Sequence, residues 1–544
     1  MTTVDEVVGR TLADLGVGHA FGVVGSGNFH VTNALIAAGV PFLAARHETG
    51  SATMADAYAR TSGNVAVLTV HQGCGLTNAM TGIAEAAKSR TPLLVLAADT
   101  AASAVRSNFR IDQDALVRSV GAVPERVHSA KSAVADTVRA WRTARNGRRT
   151  VVLNLPLDVQ ALTVDSVGDT PTVERRVPLR PGEEAVTRLM AALTSAQRPV
   201  FVAGRGARGY SAVLRELGER VGAVMATSAV AKGLFEGDPF DVGISGGFSS
   251  PLAAELITDA DVLVAWGCSL TTWTMRHGRL IGSDTTVIQI DSEEDALGVN
   301  RPVDVGVVGD VGETARCLLA DLPRSAGYRS PELAARIAAE ARWVDVEIED
   351  LSTATTIDPR VLSRELDRRL PRERTLAVDS GNFMGYPSAY LSVPDEAGFC
   401  FTQAFQSIGL GLPTAIGAAT ARPDRLPVLG TGDGGLLMVA AELDTLVRSG
   451  IAMLVVVYND AAYGAEVHHF GPDGADLSTV TFPDTDIAAI AAGYGLQAAT
   501  VRTVADLDIL DRWLAGPRTA SLLLDAKVSN DGGSWWLTDA FQGH

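Results

Sequence analysis

Cysteine is scarce: Cys74, Cys268, Cys317 and Cys400 are the only four in 544 residues. Their scatter excludes a thiolate zinc site, and four thiols are too few to cross-link a chain of this length, so a reducing compartment fits. No uncharged run reaches the ~18 residues that a membrane span needs. The opening Met1-Thr-Thr-Val-Asp-Glu turns acidic where a leader would carry basic residues, so the chain reads as soluble and cytoplasmic with no membrane partner. Basic residues are the minority charge, 46 Lys plus Arg against 63 Asp plus Glu, for a net charge of −17. With no Lys/Arg-rich run, a phosphate-backbone binding surface is excluded, and nucleic acid with it. Apolar residues (47%) and glycine (54 residues) are plentiful, which excludes a disordered chain and provides for several packed cores. At ~150 residues per domain, the length asks for three or four folded units.

Short runs rich in aliphatic residues alternate with helical patterns along the chain. His19–Gly25, Val40–Arg46, Ala66–His71 and Pro92–Ala98 read as strands, with helical stretches such as Ser51–Ala59 and Thr77–Ala87 between them. Pro199–Ala203, Asp261–Trp266 and Thr286–Asp291 form a second set. Thr375–Asp379, Leu426–Gly430, Met453–Tyr458 and Ser521–Asp525 form a third, with a helix expected over Leu436–Arg448. Strands joined through helices imply parallel sheets covered on both faces. The expected fold class is α/β, three doubly wound parallel-sheet domains over residues 1–160, 185–325 and 355–544. The closing Asp531-Gly-Gly-Ser-Trp-Trp reads as an exposed terminus that either packs on its own domain or covers a cleft.

The strongest chemical signal lies in the third unit. Strand Leu426–Gly430 runs into Gly432-Asp433-Gly434-Gly435, and strand Met453–Tyr458 ends in Asn459-Asp460. Glycines let backbone approach a ligand, and free amides at a helix start suit a phosphate. Neighbouring parallel strands would bring Asp433 and Asp460 to one sheet edge, where two carboxylates can share a hard cation such as Mg²⁺ bridged to a diphosphate. The competing reading is a pair of turn carboxylates that cap helices.

GDG with an Asn-Asp about 25 residues on resembles the thiamine diphosphate signature of the acetolactate synthase, pyruvate decarboxylase and benzoylformate decarboxylase superfamily, whose chains have a pyrimidine-binding, a central Rossmann-like and a diphosphate-binding domain. The resemblance implies thiamine diphosphate and Mg²⁺ as cofactors, with Asp433, Asp460 and the main-chain carbonyl of Ala462 as metal ligands. Asp460 departs from the family's usual Asn and adds a negative charge beside the diphosphate. Gly434, Gly435, Tyr463 and Gly464 fall in the same cofactor-binding loops. Asn382 and Ser380, in Asp379-Ser-Gly-Asn, fall where the family contacts the diphosphate. In Gln406-Ser-Ile-Gly, Gln406 belongs with the cofactor contacts and Ile408 takes the place of the apolar wedge that bends the cofactor.

In the first unit, Ala45-Arg-His-Glu48-Thr-Gly is similar to the segment that carries the family's activating glutamate, so Glu48 is expected to share a proton with the cofactor's pyrimidine. Read alone, Glu48 is a helix-start carboxylate that satisfies N–H groups. His71-Gln-Gly-Cys-Gly-Leu-Thr-Asn78 resembles the Gly-x-Gly-x-Thr-Asn run of acetolactate synthases and places Asn78 at the cofactor. His71 and Ser26 match substrate-side residues of the decarboxylases and would shuttle protons as a pair. His71 alone also reads as a strand-end histidine bonded to backbone. Gln113 matches the acetolactate synthase glutamine beside the active centre. His469 falls where those enzymes carry an acceptor-selecting tryptophan, and with His468 it is either an acid/base group or part of a solvated loop face.

In the second unit, Gly204-Arg-Gly-Ala-Arg-Gly209 is a formal GxGxxG. A nicotinamide site needs an acid on the next strand, and Gly222-Ala-Val-Met-Ala-Thr-Ser has none. FAD stays open with nothing in its support. The expected function is a thiamine diphosphate- and Mg²⁺-dependent transferase or lyase acting on a 2-oxo acid, an acetolactate synthase-like carboligase with an aldehyde or second 2-oxo acid as acceptor. A benzoylformate decarboxylase-like 2-oxo acid decarboxylase is the alternative, and a nicotinamide- or FAD-dependent oxidoreductase the remoter one. By the resemblance, the cofactor lies between two chains, so a homodimer or homotetramer is expected.

Overall fold

Runs such as Pro199–Ala203 and Leu93–Asp99 are apolar on both faces, so they can only form strands that are covered above and below. The computed structural model, which describes residues 2–166, 168–529 and 534–540, meets that need three times over. It contains three six-stranded sheets whose strand pairs are all parallel, each flanked by helices.

The first sheet runs Phe42–Ala44, Ala20–Gly22, Ala66–Val70, Leu93–Asp99, Thr150–Pro156 and Val123–Arg126 from edge to edge. Numbered by chain order within the sheet, that is 2-1-3-4-6-5. The third sheet has the same order: Phe399–Phe401, Arg374–Val378, Leu426–Gly432, Leu454–Asn459, Leu522–Lys527 and Gln497–Val501. The middle sheet differs. Asp241–Ile244, Val224–Thr227, Pro199–Ala203, Val262–Trp266, Thr286–Asp291 and Val305–Val308 follow the order 3-2-1-4-5-6 of dinucleotide-binding folds. In all three sheets the order reverses beside the first strand, and ligands bind at such switch points.

The first and third units pack directly on one another. Helix Glu48–Ser62 lies along helix Gly411–Ala421, and Gly417 sits so close to Met54 that a Cβ there would stand 2.2 Å from the Met54 carbonyl oxygen. Buried Met54, Ala55, Leu412 and Ile416 join the two units in one apolar core.

Two expectations about elements are corrected. The helix expected over Leu436–Arg448 is two helices, Asp433–Met438 and Glu442–Arg448, divided where Val439 leaves helical geometry (φ −126°, ψ 21°). The terminal tryptophans are not exposed. Trp536 is fully buried against Tyr386, and Trp535 stacks on Trp343 and donates from its indole N–H to the Gly247 carbonyl (2.9 Å). Asp531, Gly532 and Gly533 lie outside the described residues.

Candidate active site

At the switch point of the third sheet lies a cavity of about 550 Å³. Asp433 opens a helix at the end of strand Leu426–Gly432, and Asp460 follows directly on strand Leu454–Asn459, which pairs with it. Both carboxylates line the cavity. Desolvation, opposed by its own backbone amides, pushes Asp433 up to about 6. Asp460 is pushed up to about 7, first by desolvation and then by the charge of Asp433. Two desolvated carboxylates that repel each other are what a divalent cation relieves. Among the described residues no group of three or more His, Cys, Asp or Glu side chains is arranged to hold a metal, so these two need further oxygens from backbone and ligand.

The backbone is shaped to supply them. Ala461 sits in the left-handed region (φ 55°), a strained setting for a residue with a Cβ, while Asn459 and Asp460 accept from the amides of Ala461 and Ala462 (3.0 and 3.2 Å). That turn presents Ala462 to the cavity. Gly464 is required there, since a Cβ would stand 2.2 Å from Asp460 Oδ2 and 3.0 Å from Asn382 Nδ2. At Gly434 a Cβ would meet the Tyr463 ring at 2.7 Å, and at Gly435 it would meet Asp379 Oδ2 at 2.6 Å. The glycine turn is therefore a close-approach surface with room for a diphosphate and its cation. On charge, donor type and space, the residues present fit thiamine diphosphate with Mg²⁺.

Ser380, Asn382, Gln406, Ile408, Tyr463 and His468 line the same cavity. Asp379 ties their loops together. It is fully buried and accepts from the amides of Ser380 (2.8 Å), Gly409 (3.1 Å) and Leu410 (3.2 Å) and from the Thr431 hydroxyl (3.2 Å). The C-terminal segment closes one side. Leu537 lines the cavity, and the Ser534 hydroxyl donates to Asn382 Oδ1 (2.8 Å). His469, one residue past His468, lies on the same short helix but does not line the cavity; its ring packs edge-on against Phe470.

The expected residues of the first unit gather at the other switch point and do not line this cavity. Glu48 is the first residue of helix Glu48–Ser62 and is half-buried. The helix is capped by His47, whose Nδ1 accepts from the Thr49 amide (3.1 Å), and the Glu48 carboxylate accepts from Asn78 Nδ2 (3.1 Å). Asn78 rides on helix Cys74–Lys88, where Gly82 permits close contact: a Cβ there would be 2.7 Å from that of Ala52.

His71 Nδ1–H donates to the Gln72 carbonyl (2.9 Å), which turns Nε2 toward the Ser26 hydroxyl at 3.4 Å. A Cβ on Gly75 would lie 3.0 Å from His71 Cβ and 3.5 Å from Glu48 Oε1, so the three side chains share one patch. Gln113 stands apart. Its side chain is buried, with Nε2 donating to the Ala98 carbonyl (3.1 Å) and Asn154 Oδ1 (2.7 Å) and Oε1 accepting from the Gly73 amide (2.9 Å). It holds the His71–Gly75 turn in place from beneath.

Sequence reasoning missed Glu442. This buried residue of the third unit accepts from the amides of Arg46 (3.2 Å) and His47 (2.9 Å) and from the Thr445 hydroxyl (2.6 Å). Asp444 pairs with Arg46, and Arg448 donates to the Ala44 carbonyl (3.0 Å). One helix thus clamps the strand end that delivers Glu48. Glu442-Leu-Asp-Thr-Leu-Val-Arg448 carried no signal of this, because the partners are backbone groups nearly 400 residues away.

Comparison with known proteins agrees with this geometry. The thiamine pyrophosphate enzyme family models match in chain order: the N-terminal TPP binding domain over residues 2–117, the central domain over 186–318 and the C-terminal TPP binding domain over 379–520. The chain is 30% identical to a sulfoacetaldehyde acetyltransferase of Rhodobacter capsulatus, over 99% of this chain and 96% of that one. It is also 30% identical to a probable 2-ketoarginine decarboxylase of Pseudomonas aeruginosa (94% and 91%) and 26% identical to a probable acetolactate synthase large subunit of Methanocaldococcus jannaschii (91% and 86%). With all three domain models in place and full-length relatives of this kind, the chain belongs to the thiamine pyrophosphate enzyme family.

Proposed function

We propose that the protein is a thiamine diphosphate- and Mg²⁺-dependent enzyme that removes carbon dioxide from a 2-oxo acid and releases the remaining carbonyl fragment after protonation. The observation that carries this reading is the Ser26–His71 pair beside Glu48, a two-membered proton relay. When bound, the cofactor supplies a thiazolium that accepts the electron pair left by the departing carboxylate.

The chain's residues do the rest. Glu48, held at its post by Asn78 and by the Glu442 clamp, would share a proton with the pyrimidine of the bound cofactor. Asp433, Asp460 and the Ala462 carbonyl would hold the cation, and Asn382, Ser380 and the glycine turn would take the diphosphate. Ile408 and Gln406 shape the cavity wall. His71 passes a proton to or from the substrate through Ser26. His468 is the acid/base candidate on the cavity side, and His469 lies behind it.

The two half-sites do not share a cavity within one chain, and both are rimmed by exposed apolar side chains: Phe29 and Phe109 near one, and Phe405, Leu437 and Met438 near the other. This supports a homodimer, or a dimer of dimers, that joins the half-sites of different chains across domains set at residues 1–160, 185–325 and 355–544.

Transfer of the fragment to an acceptor aldehyde or second 2-oxo acid is the second reading. It is favoured by the full-length likeness to a sulfoacetaldehyde acetyltransferase, while the engagement of Gln113 beneath the loop removes one support for an acetolactate synthase-like carboligase. A panel of 2-oxo acids, assayed for carbon dioxide, aldehyde and coupled product with and without acceptor, tests both. Aldehyde without acceptor is the expected result. Carbon dioxide released only together with coupled product, with no free aldehyde and no turnover without acceptor, would replace the first reading by the second.

A further inference from the structure

The turn that carries Asp460 and Ala462 is backed by a strap, residues 480–485, that pairs with it across a three-residue stretch. The Tyr463 amide donates to the Val480 carbonyl and the Phe482 amide to the Ala461 carbonyl, each at 2.8 Å, with Ala462 opposite Thr481 in an antiparallel bridge. In such a pair the residue between the two bonds turns its own N–H and C=O away from its neighbour. The Ala462 N–H accordingly reaches Asp460 Oδ1 (3.2 Å), and its carbonyl is directed to the same side, that of the cavity.

Residues 481–486 are exposed, so polar ties rather than packing must hold the strap. The strongest comes from Lys527, the last residue of strand Leu522–Lys527. Its buried ammonium donates to the Asp484 carboxylate and to the Thr485 carbonyl (3.2 Å), while Arg502 stands further from Asp484, at 3.8 Å. The same ammonium pairs with Asp525 (2.9 Å), which is fully buried and accepts from Asn459 Nδ2 (2.8 Å). Asn459 Oδ1 in turn accepts from the amide of Ala461, the left-handed residue of the turn (3.0 Å). Two routes from Lys527 therefore close on Ala461: the strap takes its carbonyl, and Asp525 with Asn459 takes its amide.

We propose that Lys527 is a positioning residue for the cation: by joining the strap to the strand end it fixes the direction of the Ala462 carbonyl, and with it the affinity and size selectivity of a site that it does not touch. The inference rests on the cation-holding role given above to Asp433, Asp460 and Ala462. Lys527 itself does not line the cavity.

Charge alone argues for the opposite sign. Lys527 is close enough to oppose the desolvation that raises Asp433, so its removal by itself should tighten the binding of any divalent ion. Loss of positioning should loosen it, and Mg²⁺ more than Ca²⁺. Mg²⁺ demands near-octahedral geometry at about 2.1 Å, whereas Ca²⁺ accepts irregular oxygen sets at about 2.4 Å.

The test titrates the full chain, in saturating thiamine diphosphate, with MgCl₂ and separately with CaCl₂, followed by quenching of its tryptophan fluorescence. Lys527→Met should weaken Mg²⁺ at least ten-fold and Ca²⁺ less than three-fold, and Lys527→Arg, which still reaches both carboxylates, should recover most of the loss. Lys527→Met also leaves buried Asp525 without its counter-charge, which endangers folding. Asp484→Ala is therefore the second variant: it removes an exposed carboxylate, frees the strap alone, and should shift the Mg²⁺/Ca²⁺ affinity ratio at least three-fold in the same direction. A ratio unmoved in either folded variant, or tighter Mg²⁺ binding by Lys527→Met, would overturn the inference. Wild-type protein that binds thiamine diphosphate without need of a divalent ion would overturn the cation reading itself, and the inference with it.

Discussion

The first and third units have the same strand order, and corresponding loops at their switch points carry opposite chemistry. After the first strand, one unit presents Gly25-Ser26 and the other Ser380 and Asn382; after the third strand, one presents His71 and the other Asp433. The fourth strand ends at Asp99 in the first unit, where Arg126 takes up the carboxylate (2.6 Å), and runs directly into Asp460 in the third, where the neighbour is a second acid. In the proposed reading, a single topology thus serves as a proton-handling half and as a cation-holding half. What separates them is whether the strand-end carboxylates are paired with arginine or left facing one another.

The largest expected effect strikes the proton-handling half alone. Glu48→Gln should lower turnover by about 10²–10⁴-fold with the dissociation constant of thiamine diphosphate little changed. Parallel loss of cofactor affinity would erase the division of labour. His71→Ala should cost about 10²-fold in turnover, at the low end of general acid–base effects, and Ser26→Ala less, both with cofactor affinity intact as measured by fluorescence quenching.

The same comparison shows what the sequence makes legible. Pro199–Ala203 and Thr286–Asp291 were readable to the residue, because doubly covered parallel strands are continuous apolar runs with sharp ends. Motifs whose spacing is local, GDG and the Asn-Asp after the next strand, were readable too. Glu442 and Asp379 were not, because each acts on backbone amides brought near only by the fold. The break at Val439 was invisible because Val439-Ala-Ala keeps an apolar helical rhythm while the chain turns to place Glu442 under Arg46 and His47. Gln113 illustrates the converse: spacing set its place in the chain but not the Gly73 amide it would face.

Smaller effects sharpen the contrast. Glu442→Ala leaves the buried amides of Arg46 and His47 without their acceptor and should cost about 1–3 kcal/mol in urea unfolding, while Glu442→Gln recovers part of it. Asp460→Asn tests the mutual repulsion of the cation-holding half. A carboxyl raised in the folded state binds more protons there than in the unfolded chain between about pH 4 and pH 7, so cofactor-free protein should lose stability as pH rises through that window. The variant should show a shallower fall, and saturating thiamine diphosphate with Mg²⁺ should abolish it in both. A steeper fall in the variant would contradict the assignment.

The most direct test of the divided site is a hybrid of two inactive chains. Glu48→Gln and Asp433→Asn protein are unfolded together, refolded as a mixture and assayed with saturating cofactor. If each site joins the first unit of one chain to the third unit of another, every hybrid dimer holds one intact site, and the mixture should recover about a quarter of wild-type activity. If both halves of a site come from the same chain, every site carries a defect. No recovery, with hybrid dimers demonstrated by mass, would contradict the account.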